Sequence, residues 1–212
     1  MAEDHQQSTV ADPGRPTVGL RERKKARTRA SIREHAMRLF REQGYGETTV
    51  EKIAEAAEVS PSTFFRYFPT KEDVVISDDY DPRLIAAFRA QPPGVSVVEA
   101  LRRSVRAVFS GLDRSALEYE AYRHQLMETV PELRAAMYTE YRRSIDLLAS
   151  LAAERLGLDA ESFEMRAFAG ALIGVMMAVA YTADGLVMDE SSFSRIDKAL
   201  AFLEAGLPLP GQ

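Results

Sequence analysis

From Leu20 onward apolar residues recur three and four positions apart, and no stretch alternates with period two for long enough to build a sheet. A chain patterned in this way is expected to be all-α. A first helix is predicted from about Leu20 to Gln43, with Ile32, Ala36, Leu39 and Phe40 inward and Gly44 as a left-handed stop. A short second helix begins at Thr48 or Thr49, where Thr48 and Glu51 have capping-box spacing, and turns Val50, Ile53, Ala54 and Ala57 inward. Ser60 as cap and Pro61 in the first turn open a third helix, which buries Phe64 and Phe68 and stops at Pro69. Thr70 and Asp73 repeat the capping spacing for a fourth, interrupted near Ser77 to Asp81 and resumed after Pro82. Five more are predicted at about 97–110, 114–128, 131–156, 160–183 and 192–205, punctuated by Ser96, Gly111, Pro131, Gly157, Gly185 and Gly206.

Before Leu20 the chain carries Pro13, Gly14, Pro16 and Gly19 among polar residues, with no periodic apolar pattern to offset the entropy of ordering. The expected organisation is a disordered arm at 1–19, a small three-helix head at 20–75 and a larger helical-bundle body at 76–212.

The formal charge of -5 argues against a nucleic-acid partner only if it is evenly spread. It is not. Residues 15–41 hold ten Lys or Arg against Glu22 and Glu34, whereas residues 76–212 hold 14 basic and 20 acidic side chains. A basic end on an acidic body can grip phosphates locally and stay dissolved elsewhere.

With 46% hydrophobic residues and no cysteine, the core needs no covalent staple, and disulfides, zinc ribbons, iron-sulfur clusters and cysteine nucleophiles are excluded. Cysteine absence suits a reducing compartment, and the cytoplasm is expected. The longest apolar run, Ala171 to Tyr181, falls short of the roughly 20 residues that cross a bilayer, and Met1 to Leu20 has no hydrophobic signal core, so no membrane role is expected. The histidines are His5, His35 and His124, far apart and without a phosphate loop, metal-ligand spacing or nucleophile motif. No catalytic residue, metal or cofactor is expected, and the chain reads as no enzyme.

Two short helices separated by Glu58, Val59 and Ser60, after a basic helix, have the layout of a helix-turn-helix. If Phe64 and Phe68 anchor the third helix against Ile53, Ala57 and Val59, then Ser62, Thr63, Arg66 and Tyr67 face outward. Arg66 could make paired hydrogen bonds to a guanine, Thr63 could meet a phosphate or a thymine methyl, and Phe65 could lie along the sugar-phosphate wall. Lys71 sits where the free amides of the fourth helix favour a phosphate, and Arg23, Lys24 and Arg27 add charge beside it. The basic run is also what a solvated helix face looks like, and helix-turn-helix folds also serve as adaptors without DNA.

Gly44-Tyr45, Thr48-Thr49-Val50, Ile53-Ala54, Val59-Ser60 and Thr63-Phe64-Phe65-Arg66-Tyr67-Phe68 followed by Lys71 resemble the TetR family of regulators over roughly residues 22–75. The resemblance implies operator contacts at Thr49, Ser60, Ser62, Thr63, Phe65, Arg66, Tyr67 and Lys71. Two positions depart from the pattern. Many members have glycine where Glu58 stands, and a non-glycine residue in a left-handed turn costs about 1 kcal/mol. Many have tyrosine where Phe65 stands, so a hydroxyl for a phosphate is lost.

The segment from about Glu161 to Thr182 is apolar nearly all round, and Gly170 and Gly174 permit close helix approach. With the last helix it resembles the pair that forms a four-helix dimer interface in this family, which implies contacts at Phe168, Leu172, Val175, Met176, Val179, Phe193, Ile196, Leu200 and Leu203. An intrachain core helix has the same pattern. A homodimer is expected, because one short head reads few bases. The middle helices mix aromatic, methionine and polar side chains suited to an apolar effector cavity: Phe109, Tyr122, His124, Met127, Tyr138 and Tyr141, with Tyr119, Arg123 and Arg142 nearby. The same mixture describes ordinary core and surface. The Phe64–Asp73 stretch and Val130-Pro131-Glu132-Leu133-Arg134 look similar to a subgroup that includes mycofactocin-type regulators, which implies an acyl-CoA-like effector. The expected partners are therefore double-stranded operator DNA, a second copy of the chain and a small molecule that relieves repression.

Overall fold

The computed structural model describes residues 19–77, 80–182, 185–186 and 190–208. The arm expected before Gly19 lies outside them.

Three helices build the head: α1 (Leu20–Gln43), α2 (Val50–Ala56) and α3 (Pro61–Tyr67). Short α4 (Lys71–Ile76) and α5 (Asp81–Arg89) lead into the body, which consists of α6 (Val97–Phe109), α7 (Arg114–Thr129), α8 (Pro131–Leu156), α9 (Phe163–Ala180) and α10 (Glu190–Glu204). The fold is all-helical apart from a two-residue antiparallel ladder, β1 (Tyr181–Thr182) with β2 (Gly185–Leu186), between α9 and α10. Two residue pairs leave no periodicity for a sequence to display.

Local chemistry sets the boundaries. Gly44 ends α1 at φ 87° and Gly157 ends α8 at φ 68°, backbone angles that cost glycine nothing. Ser60 Oγ accepts from the Thr63 amide at 3.1 Å, and Pro61 fills the first turn of α3. Thr70 and Asp73 form the full reciprocal capping box of α4. At α2 the expected cap is displaced by one residue. Thr49 accepts from the Lys52 amide, while Thr48 is buried, donates to the Gly44 carbonyl at 2.8 Å and accepts from Gln43 Nε2.

Two apolar cores are stacked along the molecule. The first joins Ile32, Phe40, Ile53, Phe64, Phe68, Val74 and Val75 of the head and α4 to Leu126, Met127 and Leu133 of α7 and α8. The second packs Phe88, Leu101, Leu148, Leu151, Ala169, Leu172 and Leu200 from α5, α6, α8, α9 and α10. Burying residues from α7 and α8 under the head makes its orientation a property of the body as well.

Among the residues expected at a dimer face, Leu172 and Leu200 are 1% and 0% exposed, inside the second core of the protomer itself. Phe168, Met176, Ile196 and Leu203 are half-buried against the same core. Because α9 is apolar all round, its composition could not say which face the protomer itself consumes. The face left exposed runs through Ala167, Ala171, Gly174 and Ala178, beside half-buried Val175 and Val179.

Candidate nucleic-acid interface

The placement of α3 is decided by two rings. Phe64 and Phe68, both fully buried, lie 5.9 Å apart between centroids, so the opposite side of this two-turn helix must face out. Ser62 and Arg66 are exposed, Thr63 and Tyr67 half-exposed, and Phe65 is 50% exposed with its ring edge-on to Phe64. The hydroxyls of Ser60, Ser62 and Thr63 lie within 3.0 Å of one another along two contacts, a cluster whose protons can be re-aimed at phosphate or base. Thr49 is exposed at the start of α2, and Arg23, Lys24 and Arg27 are exposed on the first turns of α1. This convex hydroxyl, aromatic and arginine surface is what a major groove accommodates.

Lys71, half-exposed at the start of α4, has partners within the head. Its Nζ donates to the carbonyls of Tyr45 at 3.0 Å and Thr48 at 3.1 Å, and it stands 3.9 Å over the Tyr45 ring. The amine ties α4 to the loop before α2 through two of that loop's carbonyls, one of which, Tyr45, also accepts from the Thr48 amide. The Tyr45 hydroxyl donates to Glu72, and burial with that carboxylate nearby pushes the phenol well above its usual value.

The turn between α2 and α3 contains Glu58 at φ 55°, the left-handed angle expected of that position. Its amide donates to Glu55 and the Val59 amide to Ala54, which closes the turn.

Sequence reasoning missed the arginines that seat the head. Arg29 donates to the Tyr67 carbonyl at 2.7 Å and to Ser77 Oγ at 2.9 Å, and its guanidinium lies 4.2 Å over Phe68. Arg33 donates to the Ser77 carbonyl at 2.8 Å. Arg123 on α7 donates to the carbonyls of Val75 and Ile76, and its Nε meets Glu120 at 2.9 Å. A faint signal existed: Arg29 and Arg33 continue the inward stripe of Ala36 and Phe40.

The six expected effector residues do not share one cavity. Phe109 stacks on Phe193 at 5.3 Å and lines a cavity of about 400 Å³ between α6 and α10. Met127 and Tyr141 line a separate cleft with Met137. Tyr122 lies under the Arg41 guanidinium, and Tyr138 is 70% exposed. His124 lies in the interior of α7 with Nδ1 2.8 Å from the Glu120 carbonyl, and burial, with Arg123 nearby, lowers it to about 4. Tyr122 and His124, two positions apart on α7, point to nearly opposite sides of the helix, so composition alone does not make these residues converge on a site.

The 400 Å³ cavity has an apolar wall of Val105, Phe109, Leu112, Leu117, Phe193 and Leu200, and a charged end where Arg102 and Arg106 both meet Asp197. The Arg102 guanidinium holds the Asp197 carboxyl below its usual range.

Two family models match this chain: bacterial regulatory proteins of the tetR family over residues 32–77, and the MftR C-terminal domain over residues 95–208. The HTH-type transcriptional regulator TcmR of Streptomyces glaucescens is 39% identical over 165 residues, 74% of this chain and 72% of that protein. The chain belongs to the TetR family. It is a DNA-binding transcriptional regulator, and the helix-turn-helix match falls on the head described above. Among solved structures, the TetR-family repressor FadR of Thermus thermophilus, crystallised with lauroyl-CoA, is 28% identical with a TM-score of 0.51, covering 87% of this chain and 97% of that one. A TetR regulator from Rhodococcus sp. RHA1 shares the fold at 19% identity and a TM-score of 0.54, covering 87% of this chain and all of the other, 100%. Among the described residues no helix is long and apolar enough to cross a membrane.

Proposed function

We propose that this TetR-family chain is a homodimeric cytoplasmic repressor whose 20–75 head reads a palindromic operator and whose 76–212 body releases it on binding a small hydrophobic effector. The observation that carries the reading is the anchoring of α3 by Phe64 and Phe68, which leaves Ser62, Thr63, Phe65 and Arg66 on its accessible side. Arg66 reads a guanine, while Thr49, Ser60, Ser62, Thr63 and Tyr67 set the register on phosphates, with Arg23, Lys24 and Arg27 supplying charge. Two heads related by symmetry then read half-sites about 34 to 36 Å apart.

The second copy docks on α9. Its exposed Ala167, Ala171, Gly174 and Ala178 stripe is apolar and small, and a Cβ built at Gly174 meets nothing within 4 Å, so a partner helix can approach its backbone closely. Val175 and Val179, both half-buried, adjoin that stripe on α9.

The effector occupies the cavity between α6 and α10, whose volume falls at the lower end of the roughly 300–1,000 Å³ of small-molecule sites. An apolar wall ending in two arginines that share one carboxylate, Asp197, fits a chain whose anionic head competes with that carboxylate for them. The lauroyl-CoA bound to the Thermus protein and the MftR-type body support an acyl-CoA-like ligand.

Fluorescence anisotropy on a duplex selected from genomic fragments tests both halves. Salt-sensitive binding that scrambled duplexes lack, weakened on adding lauroyl-CoA, is the expected result. Equal affinity for both duplexes would remove the operator reading, and indifference to lauroyl-CoA in wild type would remove the acyl-CoA one. Light scattering at micromolar concentration should return the mass of two chains.

A further inference from the structure

Three consecutive carbonyls at the end of α4 are claimed by arginines from other helices. Arg123 Nη1 donates to Val75 at 3.0 Å and to Ile76 at 3.2 Å, and Arg33 Nη2 donates to Ser77 at 2.8 Å. The last carbonyls of a helix have no partner within it, and those turned toward protein need donors brought to them. One donor comes from the reading head and the other from the body.

Arg123 is only 6% exposed, and Glu120, one turn earlier on α7, is 3% exposed. A buried ion pair is a weak source of stability, since an apolar pair of similar volume often serves as well; its better use is to specify one arrangement. Arg123 is placed for that. Its planar guanidinium donates from Nη1 to both carbonyls while Nε meets the carboxylate, a spread of separate nitrogens that a lysine ammonium, a single point, lacks. On the same helix Leu117 lines the cavity between α6 and α10, about 9 Å along the axis from Arg123. Whatever shifts α7 at that cavity also shifts the fork that holds α4.

We propose that Arg123, oriented by Glu120, is the positioning residue through which the body sets the angle of the reading head. It does not line the cavity between α6 and α10. The inference rests on the effector reading above, and the test separates the two.

The chain has no cysteine, so Glu55→Cys on α2 and Ser150→Cys on α8 can carry spin labels on head and body of the full-length protein. Labelled chains diluted with unlabelled ones report the distance within a protomer. Wild type should show one narrow distance and lose about tenfold in affinity when two base pairs are added between half-sites. Arg123→Lys, which keeps the charge beside Glu120 and lacks the fork, should broaden the distance and cut that spacing discrimination below about threefold, with cooperative thermal unfolding and binding to a single half-site retained. Arg123→Ala should go further, and the lysine variant decides if the alanine one does not fold. A folded Arg123→Lys protein with wild-type distance and wild-type discrimination overturns the proposal. Lauroyl-CoA is added as a separate arm: a wild-type distance that does not respond to it overturns the acyl-CoA reading alone, while the spacing result still decides the role of Arg123.

Discussion

The Lys71 ammonium stands 3.9 Å over the Tyr45 ring and donates to the Tyr45 carbonyl, locking the start of α4 to the end of the first turn after α1. A residue expected to meet DNA is thereby part of the head's own construction. Two charge-assisted bonds to carbonyls and a cation over a ring are together worth about 2 kcal/mol at a half-exposed site. Lys71→Met should lower stability by about that amount in urea unfolding. The slope of log affinity against log salt should change by well under the roughly 0.9 that one lost phosphate contact produces. A full unit of slope with unchanged stability would return Lys71 to the DNA backbone.

Arg66 is exposed, and its guanidinium lies 5.4 Å from the Tyr67 ring centroid. Removing it leaves no buried group unpaired, so Arg66→Ala should fold normally. It should lose about 1–3 kcal/mol of discrimination at one operator position. Anisotropy across a panel of single-base operator variants checks this, and uniform weakening at every position would assign Arg66 to phosphate instead.

Glu58 holds φ 55° with a side chain that offers no compensation in the turn, since the closing bonds are made by backbone amides. Glu58→Gly should raise stability by up to about 1 kcal/mol. Unfolding of the variant at a lower urea midpoint would show that the glutamate contributes more than its backbone costs.

The native His124 ring is held at about 4, against an ordinary value of 6.5, first by burial and then by the Arg123 charge, with the Glu120 carbonyl opposing. Between those values the unfolded chain binds a proton that the native chain refuses. Stability therefore rises with pH across that window and falls on acidification, by on the order of 3 kcal/mol over its whole width. The lowered carboxyls of Glu99 and Asp197 add losses in the same direction but at lower pH. Urea unfolding at pH 5 and pH 7 isolates the histidine, and His124→Gln should flatten the difference. An unchanged pH slope in that variant would mean the ring is not its source.

The fold was largely legible in the chain because helix ends are local chemistry. Ser60, Pro61, Thr70, Asp73 and Gly157 each act within one turn of themselves, so the breaks fell where the spacing put them. Thr48 and Thr49 mark the limit of that reading: either hydroxyl could cap α2, and the choice was made by Gly44 and Gln43, which captured Thr48.

Sequence by itself determined the period, the caps and the pair of phenylalanines, and with them a helix-turn-helix whose third helix must show Ser62, Thr63 and Arg66 to the outside. Tertiary structure alone decided which polar groups are spent internally. Lys71, Arg29, Arg33 and Arg123 are ordinary cations in one dimension, and each found carbonyls between 23 and 48 residues away in the chain. The same holds for Leu172 and Leu200, drawn into the protomer core, and for the cavity between α6 and α10. Capping depends on neighbours along the backbone, whereas desolvation and pairing depend on whatever packing brings across it, which no periodicity records.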